Sequence, residues 1–223
     1  MDLLFSLIKG APSLFIIALL LGILTHLRNK STKSFEKSKE DFWERERNAN
    51  AVRKKDISNL PYVEIPENII SIAQEYDDSD NLMVSSFAAD LSSLKDKKIL
   101  NLNGKSNTDI KLEYGTANIT VLSDADNNYT ELISILSRLG ASLFENGQLD
   151  KAREVLEYSI NIESDVLRSY QMMTEIYRQT LSGENALTAI DTLKEKAEKL
   201  DSIRKDSILA LFREETNQTQ DSE

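Results

Sequence analysis

The sequence predicts an all-α protein in which an N-terminal transmembrane helix is followed by a juxtamembrane helix and an array of short helices. The segment 11–27 is apolar and uncharged. From Ile69 onwards, apolar residues recur three and four positions apart, as they do on one face of a helix. Glycine, asparagine and aspartate separate these apolar stripes, and strand-like alternation is weak.

Composition excludes several classes of function. The 223-residue chain has no cysteine and one histidine, His26, which excludes thiolate metal sites and sites built on several histidines. Residues 56–223 hold sixteen basic and thirty-one acidic side chains, which disfavours nucleic acid, because that affinity comes mainly from neutralised phosphates. No phosphate loop, nucleophile elbow or dinucleotide fingerprint occurs. We therefore expect no catalytic activity, no cofactor and no nucleic-acid partner.

The segment 11–27 predicts a membrane anchor. Its 17 uncharged residues reach the lower limit for a spanning helix, and the apolar run 3–8 lengthens it while Lys9 reaches towards the headgroups. A cleaved signal peptide would need a basic start and a small-x-small site, whereas this chain has Asp2 and ends the run with Thr-His-Leu-Arg. We expect an uncleaved, single-pass anchor.

Basic residues after the anchor predict its orientation. Lysine and arginine are concentrated on the C-terminal side of the span, so the positive-inside rule places the soluble domain in the cytoplasm. The following segment lacks glycine and proline and predicts a helix. One interpretation is an interfacial helix, with lipid-facing residues Arg28, Lys30, Lys33, Phe35, Phe42 and Trp43. The alternative is that the aromatic residues dock on the domain or are solvated.

The middle of the chain predicts a linker followed by helices. Two prolines lie in 57–66, and Pro66 suits the first turn of a helix. Apolar stripes then mark two helices, with Ile69, Ile70, Ala73 and Tyr76 on the first and Val84, Phe87, Ala88, Leu91 and Leu94 on the second. The stretch 99–128 favours short helices over a hairpin at Asn103-Gly104, with Asn107 as a helix cap and a break at 126–128.

A repeated pattern follows. Small and large apolar residues alternate at fixed offsets in Leu136, Leu139, Gly140, Leu143, Gly147, Ala152, Leu156 and Ser159. A degenerate copy lies 34 residues later, at Tyr170, Met173, Thr174, Tyr177, Ala186, Ile190 and Leu193. This region, about 130–215, resembles the tetratricopeptide repeat family. It departs from the family pattern at Leu136, Leu143 and Ser164, and Leu181 occupies the position of the turn glycine in the second copy.

The resemblance implies an α-solenoid that binds a protein partner. In this family the first helix of each repeat lines a concave groove, which corresponds here to 132–145 and 166–179. The partner-binding residues implied on those helices are Arg138, Ser142, Glu145, Ser169, Met172, Glu175 and Tyr177. Anchoring implies that the partner is itself associated with the membrane. Two alternatives stay open: an accessory or sensor protein with a small-molecule or metal site in 97–128, and an extracytoplasmic envelope-assembly factor.

Two acidic groups are weak candidates for a cation site. They are formed by Asp77, Asp78 and Asp80, and by Asp124, Asp126 and Asn128. The second group resembles the start of a calcium loop but has Tyr129 and Ile135 where such a loop needs glycine and glutamate. Solvated turns are the simpler interpretation, and we expect no bound metal.

These observations divide the chain into six segments. They are an anchor at 1–28, a basic juxtamembrane helix at 29–56, a linker at 57–66, a helical part at 67–128, two repeats with a capping helix at 129–215, and a tail at 216–223. The chain as a whole, around FWERERNANAVRKKDISNLPY, also resembles single-pass, membrane-anchored proteins of Gram-positive bacteria. That second resemblance implies no particular function.

Overall fold

The computed structural model describes residues 38–77 and 86–220 and divides the chain into two compact units, 1–52 and 53–223. Every regular element in the described residues is helical, which confirms the all-α prediction. The predicted anchor at 11–27 lies outside these residues. Among the helices that are described, none is long and apolar enough to cross a membrane.

The described part of the first unit contains helix α1, residues 38–50. Phe42 and Trp43 lie side by side on it, with their ring centroids 5.4 Å apart in an edge-to-face arrangement. Their exposed fractions are 53% and 52%, so neither ring is buried. The other predicted interface residues, Arg28, Lys30, Lys33 and Phe35, lie outside the described residues.

The second unit is an array of packed helices. Within the described residues these are α2 (Glu67–Asp77), α3 (Phe87–Lys95), α4 (Asn107–Tyr114), a 3-10 turn (Thr116–Asn118), α5 (Ile119–Glu145), α6 (Leu149–Asn161), α7 (Leu167–Thr180), α8 (Glu184–Glu198) and α9 (Lys205–Gln220). From α5 to α9 each helix packs on the next. In addition, α2 packs on α3 and α6, α3 packs on α5, and α9 packs on α7.

Helix α5 forms the centre of the core. Leu132, Ile135, Leu136 and Leu139 recur at helical spacing, and all four are almost completely buried. One hydrophobic cluster joins this face to residues of α2, α3 and α6 to α9. The described residues of the predicted apolar faces of α2 and α3 belong to this cluster or pack against it, and Val84 lies outside the described residues. A smaller cluster lies under the linker and contains Leu100, Leu102, Ile110, Leu122 and Ala125.

The linker at 57–66 is non-helical and is attached to the array by backbone hydrogen bonds. The N–H of Val63 donates to the carbonyl of Ile99 at 2.8 Å, and the Tyr158 hydroxyl donates to the carbonyl of Glu64 at 2.9 Å. Pro66 lies one residue before α2, and its carbonyl accepts the first hydrogen bonds of that helix. The proline is therefore a cap and does not lie within the first turn.

Helix α4 begins with a capping box formed by Ser106 and Asp109. The Ser106 hydroxyl accepts from the N–H of Asp109, and the Asp109 carboxylate accepts from the N–H of Ser106. The predicted cap, Asn107, is instead the first helical residue. Ser106 succeeds as the cap because the acidic residue three positions later completes the reciprocal pair.

The predicted break at 126–128 is wrong, because α5 runs through it without interruption. Asp126 and Asn128 favour breaks when their side chains bind their own backbone. Here the Asp126 carboxylate accepts from the N–H of Leu102 at 3.0 Å, and the Asn128 amide donates to the carbonyl of Lys98 at 2.9 Å. Both side chains therefore fix a neighbouring segment and leave the helix intact.

Candidate functional site

Two helical hairpins, α5–α6 and α7–α8, form the part of the array that carries the repeated pattern. Gly147 separates the helices of the first hairpin and has a φ of 72°, which supports its predicted role at the turn. In the second hairpin Leu181 ends α7 in an extended conformation, and Gly183 has a φ of 52°. The left-handed residue thus lies two positions beyond the place where the repeat pattern predicts it.

The first hairpin is held by a close approach of α5 and α6. A Cβ atom added to Gly140 would lie 2.6 Å from Cδ2 of Leu156, so only glycine fits without a shift. Leu156 and the nearby Ala152 are completely buried. At the position 34 residues after Gly140, Thr174 is also buried, on α7. The contact between α5 and α6 is therefore made at a glycine, whereas threonine replaces glycine at the matching position of α7.

An open groove of about 680 Å³ lies beside α5. Its wall combines the middle of α5 with three loops: the turn at 102–105, the α6–α7 loop and the α8–α9 loop. The residues that line it are Leu102, Asn103, Gly104, Lys105, Asp126, Thr130, Ile133, Ser134, Ser137, Arg138, Asp165, Val166, Ser202, Ile203 and Arg204. This volume falls within the range of about 300–1,000 Å³ that is typical of ligand pockets.

The groove contains Arg138, the first of the predicted partner-binding residues. Arg138 is half-exposed, and its guanidinium lies 3.6 Å from the Asp90 carboxylate and 5.7 Å from the centre of the Phe87 ring. These two contacts with α3 hold the side chain at the groove. The neighbouring Ser134, which also lines the groove, is exposed.

The predicted residues on α7 do not line the groove. Ser169 is completely buried and Met172 is 8% exposed. Helix α9 packs on α7, and its residues Ile208 and Phe212 belong to the same hydrophobic cluster as Met172. Ser169 and Met172 therefore belong to the interior of the second unit.

Three more predicted residues lie elsewhere on the second unit, outside the groove lining. Glu145 is exposed and pairs with Arg168 at 2.9 Å, and Glu175 accepts from Gln179 on its own helix. Ser142 is half-buried.

Tyr177 points to α6. Its hydroxyl donates to Glu157 at 3.3 Å. Burial raises the pKa of Tyr177 to about 12, so this donor stays protonated at neutral pH.

Apart from Arg138, no lining residue was among the predicted partner-binding residues, although Lys105 lies within 97–128, the region of the alternative small-molecule or metal site. Lys105, Ile203 and Arg204 come from two loops that are about a hundred positions apart in the chain. The 102–105 turn lies outside the repeat pattern, and positions 203 and 204 precede the capping helix, which begins at Lys205. Ile203 is the most exposed of the large hydrophobic residues described, with 100% of its surface accessible.

The acidic groups considered as cation sites have structural roles. Asp77 accepts from the Ser86 hydroxyl and from the N–H groups of Phe87 and Ala88, so it caps α3. Asp78 and Asp80 lie outside the described residues. Of the second group, Asp126 and Asn128 bind the 98–102 segment. Within the described ranges no cluster of three or more metal-binding side chains is found.

Comparison with known proteins finds no related protein. No protein-family model, curated protein or solved structure matches this chain.

Proposed function

We propose that this chain is a membrane-anchored, tetratricopeptide-like scaffold without catalytic activity, which binds a protein partner in the groove beside α5. The observation that carries this proposal is the groove of about 680 Å³, formed where a helical hairpin with repeat-like packing meets three loops. The uncharged segment 11–27 supports the anchor, and the basic residues that follow it support a cytoplasmic position for residues 53–223.

The wall of the groove suits binding better than catalysis. Of the side chains that line it, the titratable ones are two aspartates, one lysine and two arginines, and none of the five has a nucleophile–base partner. Small hydroxyl side chains, such as Thr130, Ser134 and Ser137, lie along α5 between the charged groups. Such a surface offers hydrogen bonds and room for side chains of a partner.

Anchoring strengthens the proposal. A partner that is confined to the same membrane is held at a raised effective concentration, so a single groove of modest affinity suffices. An array of two repeat-like hairpins presents less surface than a long solenoid. We therefore propose a partner that is itself associated with the membrane.

Filling the groove should abolish partner capture. We expect Ser134→Trp in the full chain to reduce labelling of the partner at least about tenfold, because the bulky ring would occupy the space that the partner fills. A tenfold loss of affinity corresponds to about 1.4 kcal/mol of binding free energy. The measurement is proximity labelling from the anchored protein in its own cells. Ser71→Trp is the matched control, because Ser71 is an exposed helical serine on α2 outside the groove lining.

The outcomes are distinct. Proteins enriched by the wild-type chain and by Ser71→Trp, and lost with Ser134→Trp, would support a groove-dependent scaffold. The cellular compartment of the labelled proteins would also report the side on which the domain lies. Equal enrichment by all three chains, or no enrichment by any of them, would contradict the proposal.

A further inference from the structure

Cations outnumber carboxylates in the lining of the groove, although the unit that contains it is acidic. Lys105, Arg138 and Arg204 line the groove, together with two carboxylates, Asp126 and Asp165. Elsewhere in 56–223 carboxylates outnumber basic side chains by about two to one. The lining therefore has one cation more than it has carboxylates, so an acidic segment meets less repulsion here than on the rest of the unit.

Both groove carboxylates are already engaged by donors in the wall. Asp126 accepts from the N–H of Leu102 at 3.0 Å, and Asp165 accepts from the Ser202 hydroxyl at 2.5 Å. Each bond uses one acceptor site of its carboxylate. The two bonds also hold the 102–105 turn and the α8–α9 loop in place as walls.

The three cations differ in how far they are neutralised. Lys105 pairs with Glu113, and Arg138 pairs with Asp90. Each pair is partly exposed, which leaves donors of both side chains free to bind further acceptors. Arg204 is exposed and makes no ion pair within the part of the chain that is described. Arg204 is therefore the cation with the most unused capacity.

The groove also offers apolar contacts. Ile203 stands fully exposed next to Arg204, and Ile133 and Val166 belong to the lining. An aliphatic side chain of a ligand would cover Ile203 while a neighbouring carboxylate reaches Arg204. Arg204 and Ile203 together would therefore suit a peptide in which an acidic side chain lies next to an aliphatic one.

We propose that the groove recognises an acidic segment of the partner protein, in which carboxylates lie next to aliphatic side chains. This inference rests on the proposed function and adds the chemistry of the segment that is bound. Carboxylates would bind Arg138, Arg204 and Lys105, and an aliphatic side chain would cover Ile203. Charge complementarity favours such a segment, because the lining has more cations than carboxylates, whereas the rest of this acidic unit would suit a basic segment better.

The test measures binding of three short fluorescent peptides to the full chain in detergent micelles by anisotropy. One peptide alternates glutamate pairs with leucine, the second replaces glutamate by lysine, and the third replaces it by glutamine. We expect the glutamate peptide to bind most tightly. Arg204→Glu should weaken its binding about tenfold, and raising the salt from about 0.05 M to about 0.5 M should also weaken it.

Lys194→Glu supplies the matched control. Lys194 is an exposed cation on α8 outside the groove lining, so its reversal changes the net charge equally and should leave the affinity within about twofold. Equal binding of the glutamate and glutamine peptides would overturn the inference, and so would equal effects of the two reversals. Binding of anionic phospholipid vesicles, or formation of a dimer, that depends on Arg204 while the glutamate peptide fails would overturn it as well.

These results separate the inference from the proposed function. If Ser134→Trp abolishes partner labelling but Arg204→Glu has no effect on peptide binding, the proposed scaffold function is supported and the recognition of an acidic segment is contradicted. If labelling is unaffected by Ser134→Trp, the groove is not the partner site and the proposed function itself falls.

Discussion

Replacing Gly115 by alanine is expected to lower the free energy of unfolding by about 3 kcal/mol or more. Gly115 ends α4 with φ 88° and ψ 146°, a conformation that is close to one available only to glycine. An added Cβ would also lie 2.3 Å from the carbonyl oxygen of Arg53. Because that atom belongs to the backbone, the contact cannot be relieved by a side-chain rotation.

The reason for this close approach is the way in which the chain enters the second unit. The N–H of Lys55 donates to the carbonyl of Tyr114 at 3.0 Å, and the Asn118 amide donates to the carbonyl of Lys55 at 2.8 Å. A shift that makes room for a methyl group would therefore strain both bonds. Gly115→Ala is expected to act on the attachment of the linker as well as on α4.

Gly147→Ala is the matched control for this prediction. Gly147 also has a positive φ, 72°, but an added Cβ would meet nothing within 4 Å. Gly147→Ala should lower the free energy of unfolding by about 1 kcal/mol, which is the cost of placing alanine in this backbone conformation. Chemical denaturation of the full chain, followed by circular dichroism, compares the two. Equal losses at both glycines would show that the contact with Arg53 is not tight.

Truncating Leu156 to alanine is expected to lower the free energy of unfolding by about 2–5 kcal/mol. Leu156 is completely buried and lies against Gly140, at the crossing of α5 and α6. Gly140→Ala alone should destabilise the chain, because its methyl group would lie 2.6 Å from Leu156. The clash outweighs the helical preference of alanine over glycine, which is about 1 kcal/mol.

The two substitutions should be strongly coupled. Once Leu156 is truncated, the methyl group at position 140 no longer meets it, so Gly140→Ala should become neutral or stabilising. A double-mutant cycle should give a coupling of about 2 kcal/mol. An additive cycle would contradict the tight crossing that supports the repeat-like packing.

Helical spacing predicted most of the fold. The faces of α2 and α3 and the central stripe of α5 follow directly from apolar residues at positions three and four apart. Periodicity failed at Asp126 and Asn128, because their partners at Leu102 and Lys98 are distant in the chain. Local preference for a break was overridden by contacts that no local pattern records.

The groove was less predictable than the fold. Arg138 was found because it lies on the first helix of a repeat-like hairpin. Ser169 and Met172 were predicted to line a groove but are buried, and the repeat pattern of α7 does not record that α9 packs on this helix. Ile203 and Arg204 lie in a loop whose position depends on the packing of three helices.

Photocrosslinking from the groove tests whether a partner protein binds there. We propose a benzophenone amino acid at Ile203, which is fully exposed at the groove, and in parallel at Leu187, a 60% exposed residue outside the groove lining. In cells that express the full chain, position 203 should crosslink to a discrete partner protein, position 187 should not, and Ser134→Trp should abolish the crosslink. The absence of a crosslink at 203, or the same products from both positions, would contradict the account.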